Sequence, residues 1–158
     1  MKFFVCFLIF IFLKSIKSYE WQKVDQNSTI LPKNSVIGAE NNKDGHNLYI
    51  IRKIINDKIF YGDIVGGNLK DAFVVDIDIN EDISVSNPEV LIAKNYVWCK
   101  LDSQNFNPEL PICRAMHDGI LLTGTLLSNG SCKLVYSTAP IKIDEIEILI
   151  LNKSSCHE

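Results

Sequence analysis

A pattern that occurs twice, sixty-two positions apart, constrains the fold more than any other feature of this chain. The first occurrence reads Leu48-Tyr49-Ile50-Ile51-Arg52, with Gly62 ten positions after the arginine. The second reads Leu110-Pro111-Ile112-Cys113-Arg114, with Gly124 again ten positions on. Each closes on a similar strand, Glu89-Val90-Leu91-Ile92 in the first and Glu147-Ile148-Leu149-Ile150 in the second. A period this long indicates two copies of one supersecondary unit, stacked because neither buries its apolar face alone. Trp21 lies thirty-one positions before Arg52, whereas Trp98 lies sixteen before Arg114, so the second copy lacks most of the front loop of the first. That loop holds Asn27, Pro32, Gly38 and the run Asn41-Asn42-Lys43-Asp44-Gly45. The boundary falls in the region of Ala93 to Asn95, giving repeats over residues 19–94 and 95–158 that together form one compact domain.

Residues 1–18 read as a secretory signal peptide. Lys2 precedes an apolar run from Phe3 to Leu13, and Ser18 is a small residue at the exit, although Ile16 is bulky for its place before the cleavage point. The run is too short to span a bilayer, which sets it apart from an uncleaved anchor. Removing it takes away Lys2, Lys14 and Lys17 and no acid, so the net charge moves from −3 to six negative charges. Nucleic-acid binding needs a clustered basic surface, and this balance argues against it. No later segment has the length of a membrane span, and the expected location is extracellular. Asn27-Ser28-Thr29, Asn129-Gly130-Ser131 and Asn152-Lys153-Ser154 have the form of glycosylation acceptors. Loss of Cys6 with the signal leaves Cys99, Cys113, Cys132 and Cys156, which allow two disulfides with three connectivities. All four lie in the second half, so bridges would staple the second repeat and the tail. The competing reading of Cys113, within an apolar strand, is a buried free thiol.

The texture of the mature chain is β throughout, and no long stretch has helical spacing of apolar residues. Strands are predicted at residues 47–55, 72–79, 90–93, 96–100, 111–116, 120–127, 133–137 and 146–151. Within the second, Val74-Val75-Asp76-Ile77-Asp78-Ile79 passes into strict alternation, the pattern of a strand with one wet face. Asn56-Asp57, Gly66-Gly67-Asn68, His117-Asp118-Gly119 and Ser128-Asn129-Gly130 supply turn residues that tolerate positive φ. Short strands punctuated this regularly predict a small all-β domain of sandwich or prism type.

The order Trp21, Pro32, Val36, Gly38, Asp44-Gly45, Leu48-Tyr49, Arg52 and Gly62 resembles a DM9 repeat, also called the DUF3421 domain. The second copy keeps Trp98, Cys113-Arg114-Ala115, Gly119, Gly124, Cys132 and Glu147-Ile148-Leu149, and the likeness covers almost the whole mature chain. The resemblance implies an all-β protein of tandem repeats packed as antiparallel sheets that exchange strands. It also implies a lectin-like role, since characterised members bind mannose and some form homodimers. In those members an Asp before the arginine strand and a Lys just after the turn glycine contact the sugar hydroxyls, a pairing that suits groups that both donate and accept. The corresponding positions here are Asn42 and Asp63 in the first repeat and Gln104 and Thr125 in the second, so neither repeat keeps the pair. Lys43 and Asp44 are the neighbouring loop residues that could contact a ligand. Arg52 and Arg114 read as structural, each anchoring a turn or a neighbouring carboxylate.

Other chemistries fare less well. The run Asp76-Ile77-Asp78-Ile79-Asn80-Glu81-Asp82 begins like a calcium loop but has Glu81 where the turn glycine belongs and Asn87 where the bidentate Glu belongs. His46 and His117, expected in a loop and a turn, and His157 lack zinc-ligand spacing. Cys113 and His117, four apart on a strand, would stand about 13 Å apart, too far for a thiol and its base. Asp144, Glu145 and Glu147 read as the solvated approach to the last strand. No nucleophile elbow, zincin helix or phosphate loop is present. The chain therefore reads as a non-enzymatic binding module without metal or cofactor. The expected partner is a glycan on a cell or microbial surface, or else a protein bound by a secreted effector or antigen on the same scaffold.

Overall fold

In the computed structural model the chain is all-β and forms two antiparallel sheets. Residues 18–41, 45–101, 108–135, 145–152 and 156 are described. The first sheet contains β1 (Tyr19–Lys23), β2 (Ile37–Asn41), β3 (His46–Ile55), β4 (Lys58–Val65), β5 (Asn68–Asp76), β6 (Glu81–Ser84) and β7 (Glu89–Ala93). The second contains β8 (Tyr96–Lys100), β9 (Ile112–His117), β10 (Ile120–Leu126), β11 (Cys132–Leu134) and β12 (Ile146–Leu151). The strand order is β1-β7-β3-β4-β5-β6 in the first, with β2 on β3, and β11-β10-β9-β12-β8 in the second. Reversed, the second order matches the first five strands of the first sheet position for position. The chain changes sheets between Ala93 and Tyr96. Among the described residues every strand ladder stays within its own half, so the strand exchange expected from the resemblance is not seen.

The turns fall where the sequence places them, because their residues reach the left-handed region. Asn56 (φ 49°) and Asp57 (φ 63°) close the β3–β4 hairpin, and Asp118 (φ 50°) and Gly119 (φ 78°) close β9–β10. Two consecutive positive φ values match the right-handed twist of the flanking strands. The strand expected over 72–79 ends instead at Asp76. The Asp76 carboxylate accepts from the Asp78 backbone N–H at 2.9 Å, and Asn80 is left-handed (φ 58°), so this run is a turn. Ile77 and Ile79 are consequently exposed. His46 opens β3 and His117 ends β9, rather than lying in a loop and a turn.

Most inner strands are buried on both faces, which explains runs such as Leu48-Tyr49-Ile50-Ile51 and Ile148-Leu149-Ile150-Leu151. On one face of the first sheet Ile51, Ile64, Val74 and Val90 pack with Val24 and Val85, which follow β1 and β6. Gln26 Nε2 donates to the Val85 carbonyl at 3.2 Å and joins those two ends of the sheet. The other face meets the second sheet, where Ile50 and Leu91 pack against Ile112 and Leu149. A third core, with Cys113, Leu122, Leu134 and Ile148, belongs mainly to the second sheet.

Gly62 and Gly124 are strand residues, not turn residues as the resemblance suggested. A Cβ on Gly62 would stand 1.9 Å from the Phe73 carbonyl oxygen, and one on Gly124 would stand 2.0 Å from that of Lys133. At both points the next strand folds tightly over the glycine, an approach no side chain permits. The bend also brings Cys113 and Cys132, one strand apart from each other across β10, to a Cα separation of 6.0 Å. Strands two places apart in a flat sheet would stand roughly 9–10 Å from each other.

The cysteines pair as Cys99–Cys156 and Cys113–Cys132. Both bridges lie in the second half and the first ties the tail to β8, as the distribution of cysteines suggested, and Cys113 is not a free thiol. In chain-entropy terms the closures across 57 and 19 residues stabilise the fold by about 4 and about 3 kcal/mol. Replacing Cys99 and Cys156 together by alanine is therefore expected to lower the unfolding free energy by roughly 4 kcal/mol. Urea denaturation measures this, and a midpoint unchanged from that of the parent would contradict it.

Candidate functional site

Two side-chain clusters recur at matching places in the two sheets. Arg52 of β3 lies opposite Glu89 of β7, and Arg114 of β9 lies opposite Glu147 of β12. In both, Nε meets the carboxylate at 2.6 Å. Each guanidinium also lies over a tryptophan ring, Arg52 over Trp21 at 4.6 Å and Arg114 over Trp98 at 4.5 Å. All four charged side chains are about two-thirds or more covered, so the charges are paired and stacked rather than solvated. The arginines do anchor neighbouring carboxylates. Glu147 corrects the sequence reading, since it is an ion-pair partner and not part of a solvated face.

An open groove of about 970 Å³ borders the first cluster, with Trp21, Arg52, Tyr61, Asn34, Asn95 and Asn152 among its lining residues. The Trp21 and Tyr61 ring centroids are 6.0 Å apart. Burial raises the Tyr61 hydroxyl pKa, against the opposing effect of Arg52. A second, shallower hollow of about 470 Å³ lies beside the β2–β3 turn, lined by Asn34, Gly45, His46, Asn47, Tyr49 and Gly66 among others.

The positions carried over from the resemblance divide sharply. Asn42, Lys43, Asp44 and Gln104 lie outside the described residues. Asp63 is inside β4, fully buried and facing the second sheet, not a turn residue open to ligand. The period-two alternation that sends Gly62 and Ile64 into the first sheet's own core sends Asp63 to the joint between sheets. There Thr123 Oγ1 donates to Asp63 Oδ2 at 2.9 Å, while Asp63 Oδ1 has no hydrogen-bond partner. Thr125 is also buried, and its Oγ1 has no partner either. The sequence signal for this arrangement was Asp63 between Gly62 and Ile64 in an apolar run, but the partner Thr123 comes from sixty residues away.

Asn27, Asn129 and Asn152 are all exposed. Asn129 Oδ1 accepts from the Ser131 backbone N–H at 3.0 Å and from Ser131 Oγ at 2.7 Å. Lys58 and Asp78 form an exposed pair at 2.7 Å, which raises the lysine pKa through that hydrogen bond. Among the described residues no three His, Cys, Asp or Glu side chains converge to hold a metal ion. No described helix is long and apolar enough to cross a membrane. The chain matches no protein-family model, and no curated protein matches it significantly.

Burial pushes the Asp63 carboxyl from 3.8 up to about 7; Asp82 adds to the rise and the Thr123 hydrogen bond opposes it. The native state therefore holds a proton in a range where the unfolded chain has released it. The stability contributed by this proton is full below about pH 4, declines as pH rises toward about 7, and is absent above. The loss across that window is on the order of 4 kcal/mol. Asp63→Asn is expected to flatten this slope, and to be more stable than the parent at about pH 8 with little difference near pH 4. Urea unfolding of both proteins across this range measures the effect, and parallel pH profiles would contradict it.

Proposed function

We propose that this chain is a secreted, non-enzymatic recognition module made of two copies of a DM9-type unit, and that it binds a glycan at the hollow beside the β2–β3 turn. The observation that carries the reading is the make-up of that hollow. The Tyr49 ring offers an apolar face, and Asn34, Asn47 and His46 offer groups that both donate and accept. Gly45, Gly66 and Gly67 keep part of the wall low, so a ligand can approach the backbone. The run Asn42-Lys43-Asp44, which carries the family's first sugar-binding position, leads directly into Gly45. The common strand order and the two Arg–Trp–Glu clusters support descent from one unit. The two disulfides support an extracellular setting.

A second reading has its own support. Asp63 and Thr125, at the family's second sugar-binding position, are buried, and Asp63 Oδ1 and the Thr125 hydroxyl are closed to solvent. This favours a secreted effector or antigen that uses the same scaffold against a protein partner.

A glycan array tests the first reading with the secreted chain and its Asn42→Ala, Tyr49→Ala and Asp63→Ala variants. Specific binding is expected, weakened at least about tenfold by Tyr49→Ala, as the loss of a stacked ring and its hydroxyl implies. Asp63→Ala, on the opposite face of the sheet from Tyr49, is expected to leave affinity unchanged. A blank array would remove the sugar reading and leave the protein-partner one.

A further inference from the structure

The two Arg–Trp–Glu clusters share a frame and differ in what they hold. In the second, Tyr96 Oη accepts from the Ile37 backbone N–H at 3.2 Å. Trp98 Nε1 donates to the Ile37 carbonyl at 3.2 Å, and Arg114 Nη1 donates to the Gly38 carbonyl, also at 3.2 Å. One acceptor and two donors thus grip the extended backbone of β2. Gly38 permits the approach, since a Cβ there would stand 2.3 Å from Thr123 Cγ2.

The first cluster carries the same set. Tyr19 and Trp21 pair with Ala93 and Leu91 on β7, as Tyr96 and Trp98 pair with Leu151 and Leu149 on β12. The Tyr19 hydroxyl bonds the Glu109 carboxylate, which leaves its oxygen able to accept. Arg52 Nε is held by Glu89. Neither its Nη groups nor Trp21 Nε1 has a hydrogen-bond partner among the described residues. These groups face the 970 Å³ groove and, among the described residues, no strand equivalent to β2. The connection from Trp98 to Arg114 spans sixteen positions, against thirty-one from Trp21 to Arg52, and its residues 102–107 lie outside the described residues. Tyr61 stands at the register position of Thr123, opposite the arginine, and its ring adds an apolar wall across from Trp21.

We infer that the groove at Trp21 and Arg52 is a docking site for an extended polypeptide segment, gripped through its backbone by Tyr19, Trp21 and Arg52 as β2 is gripped by Tyr96, Trp98 and Arg114. The occupied cluster serves as the template for the open one. It calls for an N–H and a C=O on one residue and a C=O on the next, with an apolar side chain on the first and a small residue second. Backbone grip of this kind recognises extended conformation more than sequence. The site deepens the protein-partner reading of the fold and is separate from the hollow assigned to sugar.

The test uses a synthetic peptide of the segment that the second cluster holds, Ser-Val-Ile-Gly-Ala-Glu-Asn, titrated into the ¹⁵N-labelled protein. The sequence has 2 tryptophans, so the indole N–H region reports both clusters separately. The Trp21 indole signal is expected to move while the Trp98 signal, already bonded to Ile37, stays. Trp21→Phe keeps a ring and loses the donor, and is expected to weaken binding roughly five- to tenfold, the scale of one hydrogen bond. The preserved Trp98 signal shows that the variant is folded. A Trp21 signal unmoved at millimolar peptide, or equal affinity in Trp21→Phe, overturns the proposal. So does movement of the Trp21 signal by free mannose and not by peptide, which would give the groove to sugar. Sugar binding at the hollow is read from Tyr49 and His46, so that reading can fail while the Trp21 result stands.

Discussion

The fold depends on placing two arginines where two sheets meet. Trp21, Trp98 and Tyr61 all border the core between the sheets, and each guanidinium lies against a tryptophan at its edge. A charge carried into such a place must be paired, because losing its hydration without a partner costs several kcal/mol. Glu89 and Glu147 meet the requirement by lying directly opposite the arginines on the neighbouring strand. A slip of one residue in either ladder would send the arginine into a sheet's own core and its glutamate to the other face. The pairs therefore fix register as well as neutralise charge. The sequence separation of the partners differs, 37 residues in the first and 33 in the second, while the register stays the same. The conserved quantity is spatial, and the intervening chain is free to vary.

With register fixed, the glycines ten positions after each arginine become intelligible. Gly62 and Gly124 stand one pair beyond the arginine ladder, where the next strand crosses closely over them. The crossing curls each sheet over its own core. In the second half it also carries β11 close enough to β9 for the Cys113–Cys132 bridge. The first half makes the same bend without a disulfide. Instead it gathers Val24, Val85 and Phe60 under the sheet, a supplement that its longer chain provides.

The sequence made the class, the hairpin turns and the half that bears the bridges legible, because each rests on local chemistry. Asn56-Asp57 and Asp118-Gly119 announce their turns through residues that accept positive φ, and the spacing of sixty-two joins positions that match in the strand orders of the two sheets. Strands β1, β2, β4 and β6 were not legible. Tyr19–Lys23 and Glu81–Ser84 are mostly polar edge strands, and Ile37–Asn41 is short and contains a glycine. Each exists because a neighbour accepts its hydrogen bonds, and a neighbour is long-range information. The turn at Ile77-Asp78-Ile79 misled for the opposite reason. Its alternation is real, but the Asp76 side chain captures a backbone N–H and ends the strand first. The site was harder still. The apolar run around Asp63 signals burial but not its partner Thr123, sixty residues away, and the β2 carbonyls held by Trp98 and Arg114 lie sixty-one and seventy-six residues from those side chains.

Two sheets with matching strand order make their differences informative. Where both keep Trp, Arg and Glu in the same geometry, the frame itself requires them. Where they differ, the frame tolerates change, and the differences mark where function can act. Asp63 stands at the position that corresponds to Thr125, a buried acid with one oxygen unsatisfied, which ties the joint between sheets to pH without any ligand. Tyr61 against Thr123 is the other large difference, and it lies beside the one Arg–Trp cluster whose donors are uncommitted among the described residues. A tryptophan N–H and a guanidinium with no carbonyl to hold among the described residues stand beside two aromatic rings, whereas the same groups in the second half are closed by backbone carbonyls. The asymmetry between two otherwise matching clusters is thus the strongest physical indication of where this scaffold meets another molecule.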